Sequence, residues 1–487
     1  MLTFLGLSPV CTRLGLQGLI LLPDATDLRR ADGDRRIAGV CWPVRRRTAG
    51  KKGGLLHAAL AQGRTPIVRR LGKERAGIVA FGRFLANRKV SAGEIFASAG
   101  EACGQRAAGH RVLAIQDTTH LSFPGRALGP GGDGKTPGLF LHPVLAIDAD
   151  DKTLLGLAAG RVWTRPPDKQ TPRRNRDLAD KESARWIGEG AAAKSALATA
   201  RQVTLLGDRE SDIYEAWAVL PGPGEAAEAG FDLISRARGD RKLADGSRLF
   251  SIAQTWPQAA CVALEVVERQ DRAARRAKLV LRFGPVTIVK PASCSSSGMP
   301  ASIDLRLVEI AEIEAPAGVD PIHWRLLTSL PVTSASDALE IVASYRQRWR
   351  IEEYFRILKR SGMDLEEART EGTHALQNLV AMSAVAGVPV MQLVEGREAD
   401  PALPATTVIA PDLLVFAALL CASLEGKTAK QKNPHRPDSL AWLAWIVARL
   451  GGHTGYQREG PAGPKTMAIG WTVFTRMQHG WALGKDV

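Results

Sequence analysis

Cysteine is scarce and unpatterned: six in 487 residues, at positions 11, 41, 103, 261, 294 and 421, with no C-x-x-C pair and no histidine at ligand spacing. That excludes a zinc-ligand set and a disulfide framework, and it fits a reducing compartment such as the cytoplasm. Long apolar runs are also missing. No stretch reaches the roughly 18 uninterrupted apolar residues of a membrane span. Residues 379–394 come nearest, but Ser383 and Pro389 interrupt them, so they read as a buried helix, and 406–424 carries Pro411 and Asp412 near its start. Residues 15–23 are short and follow no basic segment, which does not fit a signal peptide. No internal repeat is evident. Acidic residues are in deficit: 50 Asp and Glu against 65 Lys and Arg leave a net charge of +15 and a sequence pI near 9.8. Residues 1–75 hold 15 basic and 5 acidic residues, so the excess is concentrated there. A polyanion partner accounts for such a balance, although proteins without one share it.

Tyrosine is rare too, four in all, and one of them opens the richest stretch. From Tyr345 the chain reads YRQRWRIEEYFRILK to Lys359, a single helix by its periodicity. At 100° per residue, Tyr345, Arg348, Glu352 and Lys359 fall at about 0, −60, −20 and −40°. Ile351, Phe355 and Leu358 take the adjoining stripe and would anchor it in a core. A carboxylate among a guanidinium, an ammonium and a phenol suits a metal ion meeting a phosphodiester. Taken alone, the stripe equally fits a solvated face with i,i+4 ion pairs.

Two aspartates upstream shift that balance. RVLAIQ ends on Asp117 and VTLLG ends on Asp208. Both runs look like buried strands that deliver a carboxylate at a C-terminal edge, where open α/β sheets place their sites. Two strand aspartates and a helix glutamate supply the three carboxylates that two hard cations roughly 3.5–4 Å apart require. Each aspartate singly also reads as a turn or cap residue.

These residues carry a resemblance. Asp117-Thr-Thr, Asp208-Arg-Glu-Ser-Asp-Ile and the Y-(2)-R-(3)-E-(6)-K spacing of Tyr345, Arg348, Glu352 and Lys359 resemble the signatures of the bacterial cut-and-paste DDE transposases. Within them the chain is similar to the insertion-sequence-four group, which includes the transposase of composite transposon five. GLFLHPVLA at 138–146, WRLLTS at 324–329, SLAW from Ser439 and RLGG from Arg449 match as well, so the resemblance covers roughly 56–482. It implies that Asp117, Asp208 and Glu352 bind two Mg²⁺, with Mn²⁺ able to substitute. It also implies that Tyr345, Arg348 and Lys359 hold phosphates near a transposon end. Trp324, 21 residues before Tyr345, matches an aromatic that stacks on a flipped base, with a core aromatic as the plain alternative, and Arg236 at a strand end is expected as a further DNA contact, although basic residues are common there. Asp212 and Glu353 are expected to orient neighbours. The implied activity is in-line hydrolysis at the element's terminal inverted repeats, a hairpin intermediate, and joining of the 3′-OH to target DNA within a synaptic homodimer. The setting is the bacterial cytoplasm, at the nucleoid. Two alternatives stay open: an RNase H-like nuclease without strand transfer, and a decayed or regulatory DNA-binding copy.

The expected organisation has four parts. Residues 1–55 are basic, poorly ordered and unlike the family, with a linker-like stretch at 41–54. Residues 56–105 form a helical DNA-end-binding domain studded with Arg69, Arg70, Lys73, Arg75, Arg83, Arg88 and Lys89, and a Ser91-x-x-Glu94 capping box opens one helix. Residues 106–375 are an α/β, RNase H-like core with strands at 111–117, 139–147, 154–163, 203–208 and 231–236. They include a polar loop at 164–181 and a β-rich insertion at about 241–320. Residues 376–487 are helical; their 437–482 segment, with Trp442, Trp445, Trp471 and Trp481, matches dimerising helices, the plain alternative being a helical cap on the core.

Overall fold

A computed structural model describes residues 47–485 other than 64, 73, 167–180, 224–229, 267–272, 295, 361, 400–402 and 456–458. Lys73, most of 1–55 and most of the 164–181 loop therefore lie outside the described residues. Within 1–55, the glycine-rich 47–54 read as linker, yet it forms the first turns of helix α1 (Arg47–Gly63), whose Leu56 and Leu60 are wholly buried. The core docking of those leucines outweighs the low helix propensity of the glycines before them. Helices α2 (Val68–Leu71), α3 (Arg75–Ala86) and α4 (Ala92–Ala107) follow. The capping box at α4 is present, with the Glu94 amide donating to Ser91 Oγ at 3.2 Å and the Ser91 amide to Glu94 Oε2 at 2.9 Å.

The centre is one mixed sheet. Strands β1 (Arg111–Gln116), β2 (Thr119–Ser122), β3 (Gly138–Asp148) and β4 (Leu154–Trp163) are antiparallel neighbours, β3 lying between β1 and β4 with β2 also on its edge. After helix α5 (Ala184–Ala196), β5 (Gln202–Gly207) joins β1 in parallel. Helix α6 (Tyr214–Val219) and the short β6 (Gly222–Pro223) lead to β7 (Gly230–Arg236), parallel to β5. The order β4-β3-β1-β5-β7, with three antiparallel strands and two parallel additions, is the RNase H-like arrangement. Both faces of β1 and β5 are covered, which is why they read as unbroken apolar runs. Leu113 and Ile115 point into one core, while Val112 and Ala114 point into a second one under α5 and α6.

Beyond β7 the sheet does not stop. Helix α7 (Leu249–Ile252) precedes β8 (Ala260–Val266), β9 (Arg275–Val289), β10 (Ser302–Ile313) and β11 (His323–Thr328), all antiparallel to their neighbours. β11 pairs with β7, Leu326 opposite Arg236, so these four strands extend the same sheet.

The chain returns through α8 (Ala335–Arg346), a 3₁₀ turn at Gln347–Trp349 and α9 (Arg350–Lys359). The single helix read from the sequence is thus two α-helices joined by one tighter turn. Next comes α10 (Thr373–Gly396), which runs through Pro389. It is the one described helix long and apolar enough to cross a membrane by length and composition, and most of it is buried inside the protein. Helices α11 (Leu414–Leu424), α12 (Leu440–Leu450) and α13 (Pro464–Lys485) finish the described chain. Leu56 of α1, Leu85 of α3, Leu379 of α10, Leu443 of α12 and Phe474 of α13 share one core with α8 and α9, so helices from both ends of the chain meet on one face of the sheet. Trp442 and Trp471 are buried in that core, and Trp445 and Trp481 pack against it.

Candidate active site

The site is built first by strand pairing. β1 and β5 run parallel with Ile115 opposite Leu206, so Asp117 and Asp208 leave the sheet side by side at its C-terminal edge. Each is also locally restrained. The Thr118 amide donates to Asp117 Oδ1 at 2.7 Å, and the Glu210 amide donates to Asp208 Oδ1 at 2.7 Å, which makes Asp208 the N-cap of the turn Arg209–Ser211. The cap reading of Asp208 is therefore realised, and the same carboxylate stands at the sheet edge beside Asp117. Gly207 permits that tight turn: a Cβ there would stand 2.2 Å from Ser211 Oγ and 2.4 Å from its Cβ. Ser211 is held in place by hydrogen bonds of 2.7 Å to the Asp208 carbonyl and 2.7 Å to Ser235 Oγ.

Helix α9 brings the third carboxylate. Ile351, Tyr354, Phe355, Ile357 and Leu358 bury one side of it, which leaves Glu352 on the side facing the strand ends. Arg348 joins the elements, its Nη1 donating to Asp117 Oδ2 and its Nη2 to Glu352 Oε1, each at 2.8 Å. The i,i+4 ion pair expected of a solvated face is thus present, but it reaches across to a strand-end aspartate 231 residues earlier. Burial pushes the Asp117 carboxyl up to about 7; the Asp208 charge adds to this, and Arg348 pulls the other way. Asp208 is likewise raised, by burial above all. Negative charges have been gathered in a place that resists negative charge, and a cation relieves it.

Around this centre Tyr345, Trp324 and Arg236 assemble. Tyr345 is buried, and its hydroxyl is pushed up by burial while Arg348 and Arg236 pull it down. Trp324 meets Tyr345 edge to face, with ring centroids 5.4 Å apart. Arg236 Nη2 donates to the His323 carbonyl at 2.9 Å, and burial followed by the charge of Arg209 lowers its pKa. Lys359 stands apart. Seven residues past Glu352, it is about 10 Å further along the helix axis despite sharing its face. The charges that act on it, after burial, are Glu366 and Arg360, and it in turn acts on His120. Among the described residues Lys359 has no ion pair. Asp212 is buried and committed elsewhere: it accepts from the Trp217 indole at 3.0 Å and the Arg238 amide at 2.8 Å, and it pairs with Arg241. Glu353 pairs with Arg356 at the surface.

Several residues of the site carried no sequence signal. Arg185, near the start of α5, is 8% exposed and touches both aspartate loops, and His142 and Gln116 lie buried behind Thr118. Arg209 contributes charge beside Arg236. Arg185 sits in an ordinary helix start, and only the crossing of α5 under β1 and β5 brings it to the site. A buried arginine is invisible to periodicity.

The donor set is hard oxygen with an excess of negative charge, which fits a Mg²⁺-type cation. Among the described residues no three His, Cys, Asp or Glu side chains already stand as a closed ligand set. The Arg348 guanidinium bridges Asp117 and Glu352 and supplies the positive charge there.

A family model described as Transposase DDE domain matches residues 188–386. The match spans Asp208, Arg236, Trp324, Tyr345, Arg348, Glu352 and Lys359, while Asp117 lies outside it. It supports a DDE transposase domain in this part of the chain.

Proposed function

We propose that this protein is a cut-and-paste transposase of the insertion-sequence-four type, similar to the transposase of composite transposon five. In this reading it binds the inverted repeats of its own element, cleaves there through a hairpin intermediate, and joins the 3′-OH ends to target DNA as a homodimer. The observation that supports it most is the meeting of Asp117 and Asp208, at the ends of adjacent parallel strands, with Arg348 and Glu352 from a helix more than a hundred residues later. Asp117, Asp208 and Glu352 would hold two Mg²⁺, or Mn²⁺, and bound ions of this kind activate water and stabilise the leaving oxygen of an in-line displacement. Arg348 would trade its carboxylate partners for phosphate oxygens, with Arg236 and the Tyr345 hydroxyl as neighbouring donors. Trp324, half-exposed and braced by Tyr345, offers an indole face on which a flipped base can stack. Lys359 would contact phosphate further along the DNA than the scissile bond. Arg69, Arg70, Arg75 and Arg83 are exposed on the N-terminal helices and Arg88 and Lys89 in the turn after α3; among the described residues they have no acidic partner, so they suit a DNA backbone.

Incubation of the purified chain with Mg²⁺ and DNA carrying its element's ends tests this, with products resolved on denaturing gels. Nicks, then hairpins, then joined target strands are expected. Nicks without hairpins would reduce the protein to a nuclease, and absence of all products would contradict the reading.

A further inference from the structure

We propose that Arg185 is a positioning residue that couples the Asp117 and Asp208 loops, setting the two strand-end carboxylates relative to one another. The inference rests on the reading of those carboxylates as ion ligands. Arg185 Nε donates to Thr118 Oγ1 at 2.8 Å, Nη2 to Glu210 Oε2 at 2.6 Å, and Nη1 to the Glu182 carbonyl at 2.7 Å. Thr118 and Glu210 are the residues whose backbone amides grip Asp117 and Asp208. One guanidinium therefore holds the second contact of each gripping residue, and its planar fork fixes the angle between them. The rings of Trp163 and Trp186, 5.7 and 5.5 Å from its Cζ, flank it. A charge this deep is costly unless its donors are used, and these are.

The network continues on one side and has a single direction. Because Arg185 donates to Thr118 Oγ1, the hydroxyl is free to donate to His142 Nδ1 at 2.7 Å. His142 then carries its proton on Nε2 and donates to Gln116 Oε1 at 3.2 Å. His142 is wholly buried, and burial, reinforced by Arg185 and Arg161, drives its pKa well below the usual histidine range, in keeping with the neutral ring this direction requires. Gln116 is the residue before Asp117 on β1. The turn carrying Asp117 is thus clamped from both sides.

Mn²⁺ binding to the full chain, followed by the resonance of free Mn²⁺, separates this role from packing. Arg185→Met keeps the length between the two indoles, and Thr118→Val keeps shape while removing the shared hydroxyl. Each is expected to weaken Mn²⁺ binding by about 10–100-fold, the range for lost ligand-orienting partners, with cooperative thermal unfolding retained. The double variant is expected to be no worse than the weaker single, since both break one linkage. Arg185→Lys, a point charge without the fork, is expected not to restore binding. Wild-type affinity in Arg185→Met and Thr118→Val, or losses that multiply in the double variant, would overturn the proposal and leave the ion-holding reading standing. If Arg185→Met does not fold, Thr118→Val decides alone. Absence of Mn²⁺ binding in the wild type would instead remove the ion-holding reading, and this inference with it.

Discussion

Arg348 ties a strand-end aspartate to a helix glutamate, and its role in the proposed chemistry follows from that bridge. In the fold it neutralises Asp117 and Glu352, and the same guanidinium geometry suits a phosphodiester once those carboxylates have another cation to face. Glu189 shows the cost of a carboxylate without such provision. Its side chain is 13% exposed, its nearest cation is Arg161 at 3.9 Å, and burial raises its pKa to about 7. The folded pKa lies above the unfolded value, so ionisation costs stability: the penalty is absent below about pH 4.5 and complete above about pH 7. Glu189→Gln is therefore expected to raise Tm by about 2–4 °C or more at pH 8 and to leave it unchanged near pH 4. A scan of Tm against pH for both proteins checks this, and an equal gain at both pH values would contradict it.

At the scale of elements, α8 and its continuation into α9 position three of the site residues. α8 begins with a reciprocal cap, the Asp337 amide donating to Ser334 Oγ at 3.2 Å and the Ser334 amide to Asp337 Oδ2 at 3.0 Å. Ser334→Ala is expected to cost about 1 kcal/mol, measured by denaturant midpoint, without changing which DNA products form. A changed product pattern would mean that the helix start reaches the site. Much of this element was legible in the sequence: the apolar positions Ile351, Phe355 and Leu358 gave its face, and the strand runs before Asp117 and Asp208 gave theirs to within a residue. The 3₁₀ turn at 347–349 was not, because no Pro or Gly marks it. Lys359 shares the helical angle of Glu352, but angle alone does not register distance along an axis. Arg185 and His142 were missed because their positions depend on which helix crosses which strand, a property of long-range packing and not of local pattern.

For the whole molecule, charge and sheet extension set how DNA could be engaged. The basic excess near the N-terminus extends onto exposed positions of α3 and the turn after it, including Arg83 and Arg88. Replacing both by alanine is expected to weaken binding of end DNA with little dependence on sequence. It should also make the slope of log affinity against log salt shallower by about 1 for each residue. Equilibrium binding across a salt series measures this, and an unchanged slope would remove these helices from the interface. Three of the strands beyond β7 were legible as short β-like runs within 241–320. That those strands prolong the central sheet, with β11 seated against β7 and carrying Trp324 beside Tyr345, depends on an edge pairing that sequence alone does not specify. The burial of Trp442 and Trp471 has a similar origin: a tryptophan-rich helix looks the same in sequence whether it covers its own core or a partner's.

The central claim is that Asp117, Asp208 and Glu352 act as one unit. Single-turnover nicking of end DNA in Mg²⁺ tests it most directly, comparing wild type with Asp117→Asn, Asp208→Asn, Glu352→Gln and the triple variant, all checked for intact DNA binding. Each single variant is expected to lose at least about a thousandfold, on the order of 4 kcal/mol of barrier, and the triple variant to be no slower than the worst single one. A single variant that nicks at the wild-type rate, Asp117→Asn above all because it lies outside the matched domain, would contradict the account.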